Sequence, residues 1–353
     1  MSSRVKWAIA ILLFALAVAL PQLISSAYIV RLMILTLMNA MMAMAFVMGL
    51  RAGLLNISLA GFWGIGAYTT GMIATKTDLP VWSALPISVV VAVAVSIIVG
   101  LILLRGSALS FIIGSLVVAF IVPLVFGTFD FFEGYVGIIG ISPPEAIPLG
   151  SGAAIRFASE PSFFYLLLAL SVAVMLVFLA LYRSWAGRAW LALGLSPDLA
   201  QTVAINPYRY RLAVFAVSSG AVAVLGFFFA VYSSVLQPSV FDAFKSIYIQ
   251  MYAVLGGIAF PFAGPLLGAA VLTILPEALR LVGDFEPIVT GALIIVIVVL
   301  MPQGILGLLS GRRAKDMTEF MVALGRKPGA PARGDETAAE VDGEAEAQDE
   351  TRR

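Results

Sequence analysis

From Arg183 to Arg211 the chain reads RSWAGRAWLALGLSPDLAQTVAINPYRYR, a polar and basic island between two long apolar blocks. Within it Ser196-Pro197-Asp198 supplies a helix cap and a first-turn proline. Leu199, Ala200 and Val203 follow at helical spacing, and Asn206-Pro207 reads as the stop. The pattern predicts an amphipathic helix-turn segment. A plain loop joining two membrane spans is the alternative, and the pattern alone leaves both open.

The flanking blocks set the class. Of 353 residues, 61% are hydrophobic and 12% charged, whereas a soluble domain is roughly half apolar. The composition is that of a polytopic membrane protein. A formal net charge of +1 hides a separation, because basic residues crowd into short loops while half of the acids lie beyond Lys315. Net charge therefore says little about partners. Cysteine and histidine are absent, which removes disulfides, thiolate chemistry and most transition-metal sites.

A helix needs about 20 apolar residues to cross the hydrocarbon core. Cutting the chain where charge or Pro/Gly clusters interrupt such runs predicts ten spans: 7–24, 28–50, 54–75, 81–104, 107–127, 162–182, 212–236, 247–260, 262–282 and 287–310. The first begins like a signal peptide but ends without a small-x-small cleavage site, so it reads as a retained span. The eighth is too short to cross alone, and Gly256-Gly257 marks it as broken, tilted or partly re-entrant. Ten spans divide five plus five, and an odd half implies an inverted repeat.

With the N-terminus inside, inside loops hold Arg4, Lys6, Arg51, Arg105, Arg183, Arg188, Arg209, Arg211, Arg312, Arg313 and Lys315. Outside loops hold Arg31, Lys76, Arg156, Lys245 and Arg280, together with most loop acids, Asp242 among them. That bias places both termini and the 183–211 stretch in the cytoplasm. The expected organisation is a transmembrane domain over 1–311, with a coupling loop at 183–211 and an outer loop at 128–161, followed by an acidic, disordered tail over 312–353. The outer loop, rich in Gly, Pro and Ser, reads either as a docking cap or as a structureless connector.

No catalytic constellation is present: there is no histidine base, no GxSxG elbow and no intramembrane carboxylate cluster. The phosphate-cradling GxxxxGK[ST] loop is missing too. Proton- or sodium-driven carriers place an ionisable residue within a span. The spans as cut contain almost none, Glu277 and Arg280 lying near an outer end, so the reading favours an external motor over a secondary carrier or channel. Glycines are the positive signal. Gly64, Gly66, Gly256 and Gly257 permit close approach of helices or of a passing solute, and helix packing alone explains most of them. Asn56, Ser58, Ser218, Ser219 and Gln250 are the candidate polar wall of a path.

These blocks resemble the membrane subunits of ABC importers for branched-chain amino acids, the LivM-type permeases, over roughly residues 30 to 310. The blocks are Gly53-Leu-Leu-Asn-Ile-Ser-Leu with Gly64-Ile-Gly-Ala-Tyr68, the Gly187-Arg188 turn leading to SPDLAQTVAIN, Tyr210-Arg-Leu-Ala-Val-Phe215, VLGGIAFPFAGPLLGAA from Val254, and MPQGILG from Met301. The resemblance implies a coupling helix that docks on an ATPase, carried by Gly187, Arg188, Ser196, Asp198, Ala200, Gln201, Ala204 and Asn206. Gln201 stands where the family usually has alanine, and Ala204 where it usually has glycine. Ala60-Gly61 replaces a common Gly-Gln, and the outer GYVGIIGI lacks the usual Gly-Gly-x-x-Gly.

The resemblance further implies a heteromeric complex in a bacterial inner membrane. This chain would pair with a second related permease, two cytoplasmic ATP-binding subunits and a periplasmic or lipid-anchored solute-binding protein. It would hold no cofactor of its own, ATP being bound by the partners. Membrane lipid surrounds it, and no nucleic acid is expected. Relatives carry branched-chain and other amino acids, urea, short amides or aromatic acids.

Overall fold

The computed structural model describes residues 21–22, 26–148, 154–279, 291 and 304–309. The expected first and tenth spans and the tail lie wholly or almost wholly outside the described residues. Helices follow in order: α1 Ala27–Leu50, α2 Leu59–Lys76, α3 Ala84–Leu103, α4 Ala108–Thr128, α5 Glu160–Arg183, α6 Trp185–Leu195, α7 Pro197–Thr202, α8 Pro207–Ser233, α9 Ala243–Gly256, α10 Ala263–Leu279 and α11 Ile305–Leu309. Two-residue strands add β1 (Ile138–Ile139), β2 (Ile147–Pro148), β3 (Ala154–Ile155) and β4 (Val235–Leu236), paired antiparallel as β1 with β4 and β2 with β3. Among the described residues, α1, α4, α5, α8 and α3 with the turn before it are long and apolar enough to cross a membrane. The fold is all-α and multi-pass.

Burial follows from which faces each helix leaves apolar. α1 is buried without interruption from Met38 to Leu50. A helix apolar on every side belongs at the centre of a bundle, and the Met and Ala side chains here fill irregular gaps on all faces. α3 shows the opposite design. Its buried residues Ser88, Ala92, Ser96 and Gly100 recur every fourth position and pack on α8, while Val90, Ile98 and Ile102 stay exposed as a lipid-facing surface. Ser88 and Ser96 return their hydroxyls to carbonyls three residues back, so the small stripe leaves no donor unpaired.

α2 and α8 cross in close contact. A Cβ added to Gly66 would meet the backbone of Ala223, and one added to Gly226 would meet the Trp63 carbonyl. Only hydrogen at both positions lets the two backbones touch.

α2 starts five residues later than the sequence suggests. Gly53 turns left-handed at φ 73°, and Asn56 Oδ1 accepts from both the amide and the hydroxyl of Ser58, a local bond that competes with the helix. The freed backbone is satisfied from other helices. Ile57 N donates to Ser115 Oγ and Ala60 N to Ser246 Oγ. Irregular backbone at membrane depth is tolerated only where protein surrounds it in this way.

The outer segment is ordered where it is described. The turns Asp130–Phe132 and Gly134–Val136 lead into β1, and Glu145 accepts from Val81 N and, through its carbonyl, from Trp82 Nε1. Lys76 pairs with Glu133 at 2.6 Å. Where it is described, the 128–161 loop is tied to the end of α2 and to the turn before α3.

One expectation is overturned. Lys245 and Asp242, read as outer-loop charges, lie within the bundle. After Ser233 the chain turns back inward, through β4 and the turn Pro238–Phe241, until Phe241 sits fully buried against Trp63 and Tyr68. Asp242 then caps α9, its Oδ1 accepting from Lys245 N at 2.9 Å. The Lys245 ammonium donates to Asn39 Oδ1 at 3.1 Å. Asn39 is the thirteenth of the 24 residues of α1, about 18 Å from either end at 1.5 Å per residue. A charge marks a membrane boundary only when no polar partner waits inside, and here the partner lies on a helix 206 positions away.

At 14 residues α9 spans about 21 Å, short of the roughly 30 Å core; the 235–242 run, β4 followed by the Pro238–Phe241 turn, completes the descent. Gly257 (φ 109°) breaks the chain after α9. Added side chains at Gly256 and Gly268 would strike Gly264 and Tyr252 carbonyls, so α9 and α10 form a hairpin with touching backbones.

Candidate functional site

The 183–211 segment forms two short helices joined by caps. Ser184 Oγ accepts from Gly187 N, opening α6. Gly187 has no room for a side chain, which would meet the carbonyls of Leu181 and Tyr182. Arg188 reaches the Arg183 carbonyl at 3.2 Å and lies over the Trp185 ring. Ser196 Oγ accepts from Leu199 N with Pro197 at the first helical position, as the sequence predicts. Asp198, in the first turn of α7, faces the positive end of the helix dipole. Gln201 Nε2 donates back to the Pro197 carbonyl at 3.4 Å.

α7 ends at Thr202, closed by Ala204 rather than by Asn206-Pro207. Ala204 takes the left-handed conformation, φ 60°. Its amide donates to the Gln201 carbonyl and that of Ile205 to the Ala200 carbonyl, the paired bonds of a Schellman close. The usual turn therefore forms with alanine in the glycine place. Asn206 instead caps α8, its Oδ1 accepting from Arg209 N at 3.2 Å, with Pro207 opening that helix. Proline lacks an amide that the first helical position does not need, so it starts a helix as readily as it follows one.

The segment has a seated side and a free side. Ala189, Leu193, Ala200 and Ile205 pack together as a small buried cluster. Leu191, Leu195, Leu199 and Val203, four residues apart in series, are 44%, 65%, 69% and 65% exposed.

Beneath it lies the turn between α1 and α2, a connection not visible in local sequence. A Cβ on Gly194 would strike the Arg51 carbonyl. Arg211 Nε donates to the Ala52 carbonyl at 3.3 Å, and the Arg51 guanidinium covers the Tyr182 ring at 4.3 Å. Trp185 and Trp190 donate to the hydroxyl and carbonyl of Tyr210, tying α6 to the start of α8. Both a cavity of about 300 Å³ beside Gly53 and Ser107 and one of about 550 Å³ beside Ala204 and Asn206 are lined by Arg211.

Of the candidate path residues, Asn56, Ser58, Ser218 and Ser219 are buried. Asn56 and Ser58 bond each other and adjoin Ser246 of α9, whose carbonyl accepts from Gln250 Nε2. Ser218 Oγ returns to the Phe215 carbonyl within α8. Gly64 meets the Phe241 ring and Gly66 the α8 backbone, while Gly256 and Gly257 sit at the far end of α9 against Gly264 and Gly304. Asn56 and Ser58 are thus brought together, Gln250 lies one turn beyond Ser246 on α9, and the glycines face neighbouring atoms rather than open space. Sequence reasoning missed Lys245 and Asn39; the one available signal was a lysine three residues after a capping aspartate.

No solved structure matches this chain. It is 28% identical over 318 aligned residues to the high-affinity branched-chain amino acid transport system permease protein LivM of Escherichia coli (strain K12), which covers 83% of this chain and 73% of that protein. LivM of Salmonella typhimurium is 27% identical over 277 residues, covering 72% of this chain and 64% of the relative. Residues 28–301 match the family described as branched-chain amino acid transport system, permease component. With that match spanning most of the helical bundle, the chain belongs to the branched-chain amino acid transport system permease component family.

Proposed function

We propose that this chain is the membrane-spanning subunit of an ABC importer, passing branched-chain or related amino acids from a solute-binding protein to the cytoplasm by alternating access. The observation that carries this reading is the apolar row Leu191, Leu195, Leu199 and Val203, exposed on a segment whose other side rests on the turn joining two central helices. A row of that kind fits a docking groove on a cytoplasmic ATPase. Elimination of ion coupling no longer supports the motor by itself, since Lys245 lies inside the bundle.

In this proposal the complex comprises a second related permease, two ATP-binding subunits and a binding protein in a bacterial inner membrane. The ten-span, five-plus-five arrangement, with both termini cytoplasmic, belongs to the same reading, as does a solvated tail over 312–353. Gly187, Arg188, Ser196, Asp198, Ala200, Gln201, Ala204 and Asn206 shape the docking segment; Asn56, Ser58 and Gln250 border the path. ATP binding does work only by favouring one permease conformation over another. Closure of the ATPases would press α6 and α7 on the Arg51–Gly53 turn and shift α1 against α2. The exposed Phe131, Tyr135 and Val136 of the outer cap offer a seat for the binding protein.

The test is reconstitution in vesicles with the partner subunits. Leu199→Asp combined with Val203→Asp is expected to leave the chain inserted while uncoupling ATP hydrolysis from uptake. Wild-type uptake in that variant, or uptake surviving ATP depletion, would sink the assignment.

A further inference from the structure

The interior holds a cation that the docking reading does not use. Among the described residues Lys245 Nζ makes one hydrogen bond, to Asn39 Oδ1. Asn39 is fixed in that orientation because its Nδ2 donates to Thr273 Oγ1 at 3.1 Å on α10. An ammonium has three donors, so two remain. The rings of Trp63 and Tyr252 lie 6.0 Å from the nitrogen; they attract the charge and accept nothing in the plane of a hydrogen bond. Among the described residues, no carboxylate lies within ion-pair distance of Lys245. The adjacent Asp242 already spends Oδ1 on the backbone amide of Lys245 itself.

The surroundings add donors rather than acceptors. Trp63 Nε1 and Asn56 Nδ2 are buried without a hydrogen-bond partner, and Ser246, next in sequence to Lys245, ties this part of α9 to the unwound start of α2. An intramembrane charge with no carboxylate in direct ion-pair contact, Asp242 acting on it only from a longer distance, points to a function, since its burial is costly. Donors in excess, one of them cationic, select an anion. Lys245 as a residue is half-buried.

We propose that Lys245, oriented by Asn39, is a carboxylate-binding subsite that takes the α-carboxylate of the amino acid in transit. The inference rests on the amino-acid importer reading and deepens it. Charge-assisted hydrogen bonds contribute about 1.5–3 kcal/mol, which corresponds to roughly ten- to hundredfold in affinity.

The experiment uses the purified complex of this chain with its permease and ATPase partners, without binding protein. Equilibrium binding of radiolabelled leucine is competed with 4-methylpentanoate, which keeps the carboxylate, and with leucinamide, which keeps the amine. The expected result is displacement by 4-methylpentanoate and at least tenfold weaker displacement by leucinamide. Lys245→Met should lose at least tenfold in leucine binding, and Lys245→Arg should retain most of it. The chain has no cysteine, so Lys245→Cys is the one thiol of this subunit, and the unsubstituted complex treated in the same way controls for thiols of the partners; an aminoethyl thiosulfonate should restore binding and a methyl thiosulfonate should not. Equal competition by leucinamide, absence of leucine binding in the wild type, or unchanged binding in Lys245→Met overturns the subsite. The competition arm needs no variant, so a misfolded mutant does not rescue the idea. ATP-dependent uptake by the same complex, reconstituted in vesicles with the binding protein added, separates the two readings: uptake intact with the subsite results negative removes the subsite alone, and no uptake removes the importer reading.

Discussion

Arg211 Nε donates to the Ala52 carbonyl at 3.3 Å, binding the first turns of α8 to the turn between α1 and α2. On the other side of that turn Gly194 of α6 touches Arg51. The docking segment is therefore in direct contact with the junction of two central helices. Arg211→Met keeps the apolar stem and removes the donor. It is expected to lower coupled uptake several-fold while the protein still inserts, and uptake per ATP hydrolysed in vesicles measures the effect.

Gly194→Val forces a side chain into the Arg51 backbone. Overpacking of this kind costs about 1–3 kcal/mol. The expected readout is a lower melting temperature of the detergent-solubilised chain together with weaker coupling; a neutral outcome in both would place α6 farther from the turn than the structure does.

Ala204→Gly should stabilise. A left-handed alanine costs about 1–2 kcal/mol relative to a residue that accepts positive φ freely, partly offset because glycine gains more freedom in the unfolded chain. Ala204→Val, β-branched at φ 60°, should destabilise by more. Thermal melting of the three proteins side by side gives the order Gly, Ala, Val if the turn is as described.

Gly226→Leu is expected to abolish folding, because the new side chain would strike the Trp63 carbonyl at the α2–α8 crossing. Its measure is the yield of monodisperse protein. Gly140→Ala supplies a milder comparison: its φ of 81° is strained for alanine, but nothing lies within 4 Å of the added Cβ.

Gly137→Ala tests the outer cap. At φ 79° its Cβ would meet the Leu236 carbonyl and open the β1–β4 pair. Half-saturation by the binding protein should shift upward while ATP hydrolysis in its absence stays the same.

Local sequence showed the edges of α3, α4 and α5 to within three residues, because charge or proline punctuates an unbroken apolar run at each. It also showed Ser196 and Pro197 opening α7, since a cap and a first-turn proline act within one turn. The late start of α2 was hidden: Asn56 and Ser58 look compatible with a helix until Ser115 and Ser246 supply partners for the unwound amides. Asn206-Pro207 was visible as a boundary but not as the opening of α8, because the signal has the same residues in either sense. Lys245 was misplaced for the same reason that α2 was, a partner too distant in sequence to be weighed.

The bond between Asn39 and Lys245 also bears on how the protein is made. Synthesis from the N-terminus lays down α1 before every other described helix, and its apolar surface can rest in lipid until α5, α8 and α10 enclose it. α9 arrives later and is poorly suited to enter a bilayer alone, being short and carrying in its first turn a lysine whose charge is costly at depth. By then Asn39 is already at depth, so the earlier helix supplies the acceptor that admits the later one. Order of emergence and order of burial are in this way the same, and exchanging Asn39 for leucine would be felt first as a defect in biogenesis.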